Sequence, residues 1–134
     1  MTTMMALSVR QPWAWLIMAG HKDVENRSWC IRTPIRIWIH AASGMTRAEY
    51  AWCWLYAAAL GVEIPPFSSL VRGCLLGTIK VEQCCHDTPS PWYDDVLAPW
   101  GWVLSDPRPL KTPWRCRGQL GLFRPESIPE EEIR

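Results

Sequence analysis

The sequence predicts an α+β fold: a small mixed β-barrel with two main helices packed at its edges. Three observations carry that expectation. The 134 residues fit one domain long enough to build its own core. The stretch IRIWIH at 35–40 alternates apolar and polar residues, the pattern of a half-buried strand. The elements then run strand, helix, strand, helix and several further strands, without the regular alternation that builds a parallel α/β sheet.

In chain order, residues 5–9 are short and apolar enough for an opening strand. Pro12 suits the first turn of a helix, where its missing N–H costs nothing. Trp13, Leu16 and Ile17 follow at helical spacing and Gly20 ends the helix. Residues 24–29 read as extended, with Glu25, Arg27 and Trp29 on one face and Val24 and Asn26 on the other. In the strand at 35–40, Ile35, Ile37 and Ile39 are expected to point into the core, and Arg36, Trp38 and His40 outward.

Thr46 and Glu49 make a capping box that starts a second helix, which runs to about Leu60. Its AWCWLYAAAL is too apolar for a free surface, so close packing on the sheet is expected. Trp52 and Trp54 cannot both face inward, which leaves one as a rim or partner contact. Residues 73–85 read as a long strand with Gly77 a possible bulge. Residues 86–100 are mostly loop, and two more strands are expected at 101–105 and 114–123. The domain is read as 1–125, followed by an acidic tail, 126–134.

Composition narrows the class. Apolar residues make up 49% and charged residues 20%, as in a globular rather than a disordered chain. No run is long enough for a membrane span and no signal peptide is indicated, so a cytoplasmic protein without membrane partners is expected. Net charge is +1, but the segment from Glu126 carries −3, leaving about +4 by difference on residues 1–125. Eleven of the fourteen basic residues are Arg, suited to forked phosphate contacts.

The six cysteines contain no C-x-x-C pair. Cys84, Cys85, His86 and Asp87 could catch a metal, yet adjacent cysteines fit tetrahedral zinc poorly, and buried reduced thiols are the plainer account. No metal site and no cofactor are expected.

The polar residues around the first helix are the candidate site. Lys22 supplies a point cation, Glu25 a carboxylate able to pair with it or act as a base, and Arg27 a fork for phosphate. Arg10 and Gln11 precede the helix near its positive end, a place that suits anions. Trp13 could stack on a base, although its place on the apolar stripe also fits the core. Arg36, Trp38 and His40 would extend the surface as a cation, an aromatic and an imidazole in a row. Arg115 and Arg117 are further candidates for phosphate contact. A catalytic reading uses Lys22, Glu25 and His40, with His40 as base and Lys22 steadying a phosphate in metal-free RNA cleavage.

Taken together, LSVRQPW, the apolar helix, GHKDVENRSW, IRIWIHAA and GCLLGTIKV resemble an ASCH domain, in particular the kind found in activating signal cointegrator proteins. The likeness covers about residues 6–123. It implies a PUA-like β-barrel with a cleft between barrel and helices, and recognition of RNA, another nucleic acid or a nucleotide-like molecule. The family's lysine matches Lys22, and its acidic and basic partners match Glu25 and Arg27. Some relatives hydrolyse modified nucleosides or cleave RNA. Those that cleave an acylated cytidine have threonine three residues after the lysine, where this chain has Glu25.

Binding of RNA or a nucleotide in the cleft is therefore the expected function. A hydrolase using Lys22 and Glu25, and a tryptophan-rich protein-interaction module, are the alternatives.

Overall fold

The computed structural model describes residues 4–96 and 98–130. Its elements are β1 (Ala6–Val9), α1 (Trp13–Met18), β2 (Val24–Arg27), β3 (Ile35–Ala41), α2 (Arg47–Ala59), a 3-10 turn (Phe67–Ser69), β4 (Cys74–Cys85), β5 (Trp100–Arg115) and β6 (Leu122–Phe123). The strands form one curled six-stranded sheet, a half-barrel, in the order β2-β5-β4-β3-β1-β6. Only β1 and β3 run parallel; the other neighbours are antiparallel. With its two helices this is the expected α+β, PUA-like architecture.

Both faces of the sheet are covered, which alters the reading of β3. Ile37 and Ile39 pack with Leu7, Val9, Ile79 and Val81 beneath Ala14 and Ile17 of α1. Trp38 lies on the opposite face, but there it packs with Ala6, Leu75, Leu110, Cys116 and Phe123. Trp38 and His40 are each 1% exposed. The expected outward platform of Arg36, Trp38 and His40 is thus corrected. Alternation reported which side chains share a face; the long β5 and the C-terminal segment wrap the second face. Arg36 is tied down too, its guanidinium bonded to Thr78 and to Asp106.

Helix α2 begins where its capping box predicts: Thr46 Oγ1 accepts from Glu49 N–H and the Glu49 carboxylate accepts from Thr46 N–H. It touches the sheet at Val24 of β2 rather than packing closely along it as expected. Only Cys53 and Ala57 of α2 are buried, in a third cluster with Leu16, Val24, Ile64 and Trp92. The helix leans on α1 and the 86–99 loop, and Trp52 and Trp54 are both exposed.

The last strands also differ from expectation. Residues 100–115 form one strand despite Pro107, Pro109 and Pro113, because β5 follows β4 through several register shifts. Residues 116–121 are not strand, and β6 is two residues long. The bulge at Gly77 is present. Its φ is +156°, and a Cβ there would lie 2.4 Å from the Arg108 carbonyl oxygen, so only glycine fits where β4 passes β5.

Candidate functional site

The short turn after α1 places a lysine beneath the start of β2. Gly20, with φ +86°, stops the helix, and the His21 and Lys22 N–H groups both donate to the Leu16 carbonyl. Lys22 therefore turns inward, where its Nζ donates to the Val24 carbonyl and to Glu25 Oε1, the latter at 3.1 Å. On the other side Arg27 Nε donates to Glu25 Oε2 at 2.9 Å, and Arg27 Nη2 reaches the Ser8 carbonyl at 3.1 Å. Lys22, Glu25 and Arg27 thus converge, with Glu25 the shared anion between two cations.

Lys22 and Glu25 are buried and Arg27 is half-buried. Burial pushes the Glu25 carboxyl up, but the charges and hydrogen bonds of Lys22 and Arg27 outweigh it and hold the group below the usual carboxylate range. Glu25 is a firm anion at neutral pH. One of its oxygens accepts from Lys22 and the other from Arg27, so it acts first as the anchor of its two cations. Lys22 has three protons and two described protein acceptors, which leaves a donor for a ligand in the cleft.

Above this floor stands a pocket of about 200 Å³ walled by Trp13, Trp52, Tyr56 and Trp92, with Lys22, Glu25, Asn26 and Asp94 supplying polar atoms. Tyr56 is the hub of the aromatic wall. Its ring centroid lies 6.0 Å from Trp13, 6.2 Å from Trp52 and 5.4 Å from Trp92. Asn26 fixes the loop that carries Trp92: its Nδ2 donates to the Trp92 carbonyl and its Oδ1 accepts from Asp94 N–H, both at 2.9 Å.

The pocket shares Trp13, Glu25, Asn26 and Ala98 with a neighbouring trough of about 470 Å³ that includes Ser8, Arg10, Arg27, Ser28 and Trp29. Ser8, Arg10 and Arg27 also border a third hollow of about 610 Å³, rimmed by His40, Arg117 and the glycine-containing turns at 43–44 and 118–121. The three hollows share wall residues in series, and this row, the groove, is aromatic at one end and arginine-rich at the other.

The other expected site residues divide clearly. Trp13 is a groove wall. Arg10 borders the groove but is held by a bidentate pair with Glu49 of the capping box. Gln11 is corrected: it is 1% exposed, its Oε1 accepts from Trp15 N–H and its Nε2 donates to the Val71 carbonyl. Those bonds fasten α1 to the 71–73 segment and leave Gln11 out of the groove.

His40 does not meet Lys22. It borders the arginine end, where its Nδ1 accepts from the Ser8 hydroxyl at 3.0 Å and its Nε2–H donates to the Cys116 carbonyl at 2.6 Å. Burial lowers its pKa although the Cys116 carbonyl works the other way, so the ring is neutral at pH 7. The proposed pairing of His40 with Lys22 is thereby corrected, because β3 and the turn after α1 present them to different hollows. Arg117 lies on the groove rim, and Arg115, exposed at the end of β5, does not line it.

Tyr56, Trp92, Asp94, Asn26 and Ser8 were not singled out from the sequence as site residues. The five come from four separate segments of the chain, and aromatic residues in a loop or an apolar helix carry no local mark of a shared pocket. Asn26 offered a faint signal, since it sits between Glu25 and Arg27 on a short strand.

Cys84 and Cys85 project from opposite faces of β4, Cys84 toward Ile31 and Cys85 toward the Gly101 carbonyl. Among the described residues no three His, Cys, Asp or Glu side chains converge as metal ligands, and no helix is long and apolar enough to cross a membrane.

Residues 7–108 match the ASCH domain family. The chain is 37% identical over 130 residues to human Activating signal cointegrator 1, covering 90% of this chain and 22% of that protein. To the mouse protein of the same name it is 35% identical over 82 residues, 58% of this chain and 14% of the relative. The chain thus spans about a fifth or less of these relatives. With its half-barrel, its inward lysine and the match over most of its length, the chain belongs to the ASCH domain family.

Proposed function

We propose that the chain binds single-stranded RNA or a related nucleic acid along this groove, with one base in the aromatic pocket and the backbone beside the arginines. The observation that carries the reading is the row of neighbouring hollows that runs from Trp13, Trp52, Tyr56 and Trp92 to Arg10, Arg27 and Arg117 through shared wall residues. Aromatic faces accept any base, each stacked base contributing about 1–3 kcal/mol, and arginines track phosphates without reading sequence. Lys22 and Asn26 supply donors, and Asp94 an acceptor, for the edge of the base held between the rings. Membership in the ASCH family supports the same reading.

Salt dependence separates this reading from the interaction module, and turnover separates it from the hydrolase. Binding of a short single-stranded RNA, followed by tryptophan fluorescence, is expected to weaken steeply as salt rises. Binding indifferent to salt would favour the interaction module instead, for which the exposed Trp52, Trp54 and Leu55 of α2 are the supporting observation. The hydrolase reading requires turnover that Glu25→Gln abolishes while binding persists. RNA left intact over long incubation with the wild-type chain counts against it.

A further inference from the structure

Two thiols outside the groove floor face one another across a single peptide group. Cys30 lies in the turn between β2 and β3 and is exposed; Cys84 lies near the end of β4 and is half-buried. The Cys30 Sγ–H is directed at the Ile31 carbonyl oxygen at 3.4 Å, and the Cys84 Sγ–H at the same oxygen at 3.6 Å. The Ile31 N–H in turn donates to Cys84 Sγ at 3.4 Å. Fifty-odd residues separate them in sequence, so their meeting is a product of the fold. Cys85, though adjacent to Cys84, is turned to the other side of the strand.

We propose that Cys30 and Cys84 form a thiol-modification site, at which an oxidant of the peroxide class converts the pair to a disulfide that staples the 28–31 turn to β4. The steps balance without a protein cofactor. The exposed Cys30 thiolate attacks the peroxide O–O bond, forming a sulfenic acid and releasing hydroxide. The Cys84 sulfur then attacks the Cys30 sulfur, the S–O bond breaks, and the hydroxyl leaves as water with the Cys84 proton. Two thiols lose two electrons and one hydrogen peroxide becomes two waters. Burial, then the neighbouring Cys30 thiol, push Cys84 up to about 11, so the second step quickens as pH rises.

The staple would bear on the groove through Trp29, the residue before Cys30. Trp29 lines the middle trough, sets its ring edge-on to Trp102 at 4.9 Å, and accepts the Trp102 indole N–H at its carbonyl. A bond from Cys30 to β4 would fix the turn that holds this wall. It would also close a long loop, the case in which a cross-link constrains the unfolded chain most.

The test uses the full chain and no nucleic acid, so its result is independent of the proposed binding function. After treatment with hydrogen peroxide, non-reducing peptide mapping is expected to show one peptide pair joined through Cys30 and Cys84. The melting midpoint should rise by ~5 °C over the reduced protein. Cys30→Ser and Cys84→Ser should each lose both effects, and Cys85→Ser should keep them. In Cys84→Ser a dimedone-type probe should trap sulfenic acid at Cys30. Cross-linking through Cys85, a Cys30–Cys30 dimer, or sulfinic acid at Cys30 without a cross-link would overturn the proposal.

Discussion

Glu25 and Glu49 each grip an arginine, and the two sites show how burial changes what an ion pair does. Glu49 takes both a bidentate contact from Arg10 and the Thr46 N–H, at the open start of α2. The Arg10 hydrogen bonds, followed by those of Thr46, bring its carboxyl down to about 2. Its side chain is 30% exposed and that of Arg10 47%, so water competes for both ends and screens the pair. Glu25 has the same kind of partners but is buried between Lys22 and Arg27. Removing an exposed partner returns the other to water. Removing Glu25 strands Lys22 as a buried cation and takes the carboxylate partner from the half-buried Arg27.

Between the two ion-pair sites the largest effect therefore belongs to Glu25→Ala, expected to cost about 3–5 kcal/mol in urea unfolding, because uncompensated charge remains buried. A cost below about 1 kcal/mol would erase the contrast with Glu49. Acid titration comes next. The folded-state pKa of Glu25 lies below its unfolded value, so its contribution is complete above the unfolded carboxyl pKa near ~4.3. It fades as pH falls below that value through the folded pKa. Wild-type stability should fall over that window, and Glu25→Gln, though less stable at pH 7, should show a visibly flatter acid limb.

Glu49→Ala is expected to cost only about 1 kcal/mol, most of it from the lost capping box. The smallest effect is that of salt. The stability difference between wild type and Arg10→Met should be within about 1 kcal/mol and shrink toward zero at high salt, whereas that caused by Glu25→Ala should change little. A salt-resistant Arg10 effect would show that the exposed pair is better shielded than its geometry implies.

Features confined to a few neighbouring residues were legible in the sequence. The Thr46–Glu49 box, the Gly20 stop, the Gly77 bulge and the shared face of Glu25 and Arg27 follow from spacing and backbone chemistry, whereas the inward turn of Lys22 does not. What failed depended on distant coverage. The pattern IRIWIH correctly separated two faces, but no local signal said that β5 and the 116–123 segment would bury Trp38 and His40. The apolar α2 was misplaced for a related reason: its partners are α1 and the 86–99 loop, and much of its apolar surface stays in water.

Trp38 carries a further mark of that covering. Its indole N–H is buried without a hydrogen-bond partner among the described residues. Trp38→Phe removes that cost along with part of the packing, so it should be far milder in unfolding than Trp38→Ala, for which about 3–5 kcal/mol is expected. The acidic tail was only partly legible. Glu126 accepts the Arg117 N–H and Ser127 accepts the Trp114 indole N–H, so the described residues 126–130 return to the end of β5. Residues 131–134 lie outside the described part.

The central claim is that one groove joins a base-stacking end to a phosphate-tracking end. The most direct measurement is the salt dependence of single-stranded RNA binding in three chains: wild type, Trp52→Ala and Arg117→Ala. Both substituted side chains are exposed, so the fold is expected to survive. Trp52→Ala should weaken binding at every salt concentration, by about 1–3 kcal/mol, without changing the slope of log affinity against log salt. Arg117→Ala should reduce that slope by about one counterion. Equal slopes in wild type and Arg117→Ala, with affinity untouched by Trp52→Ala, would contradict a groove that uses both ends.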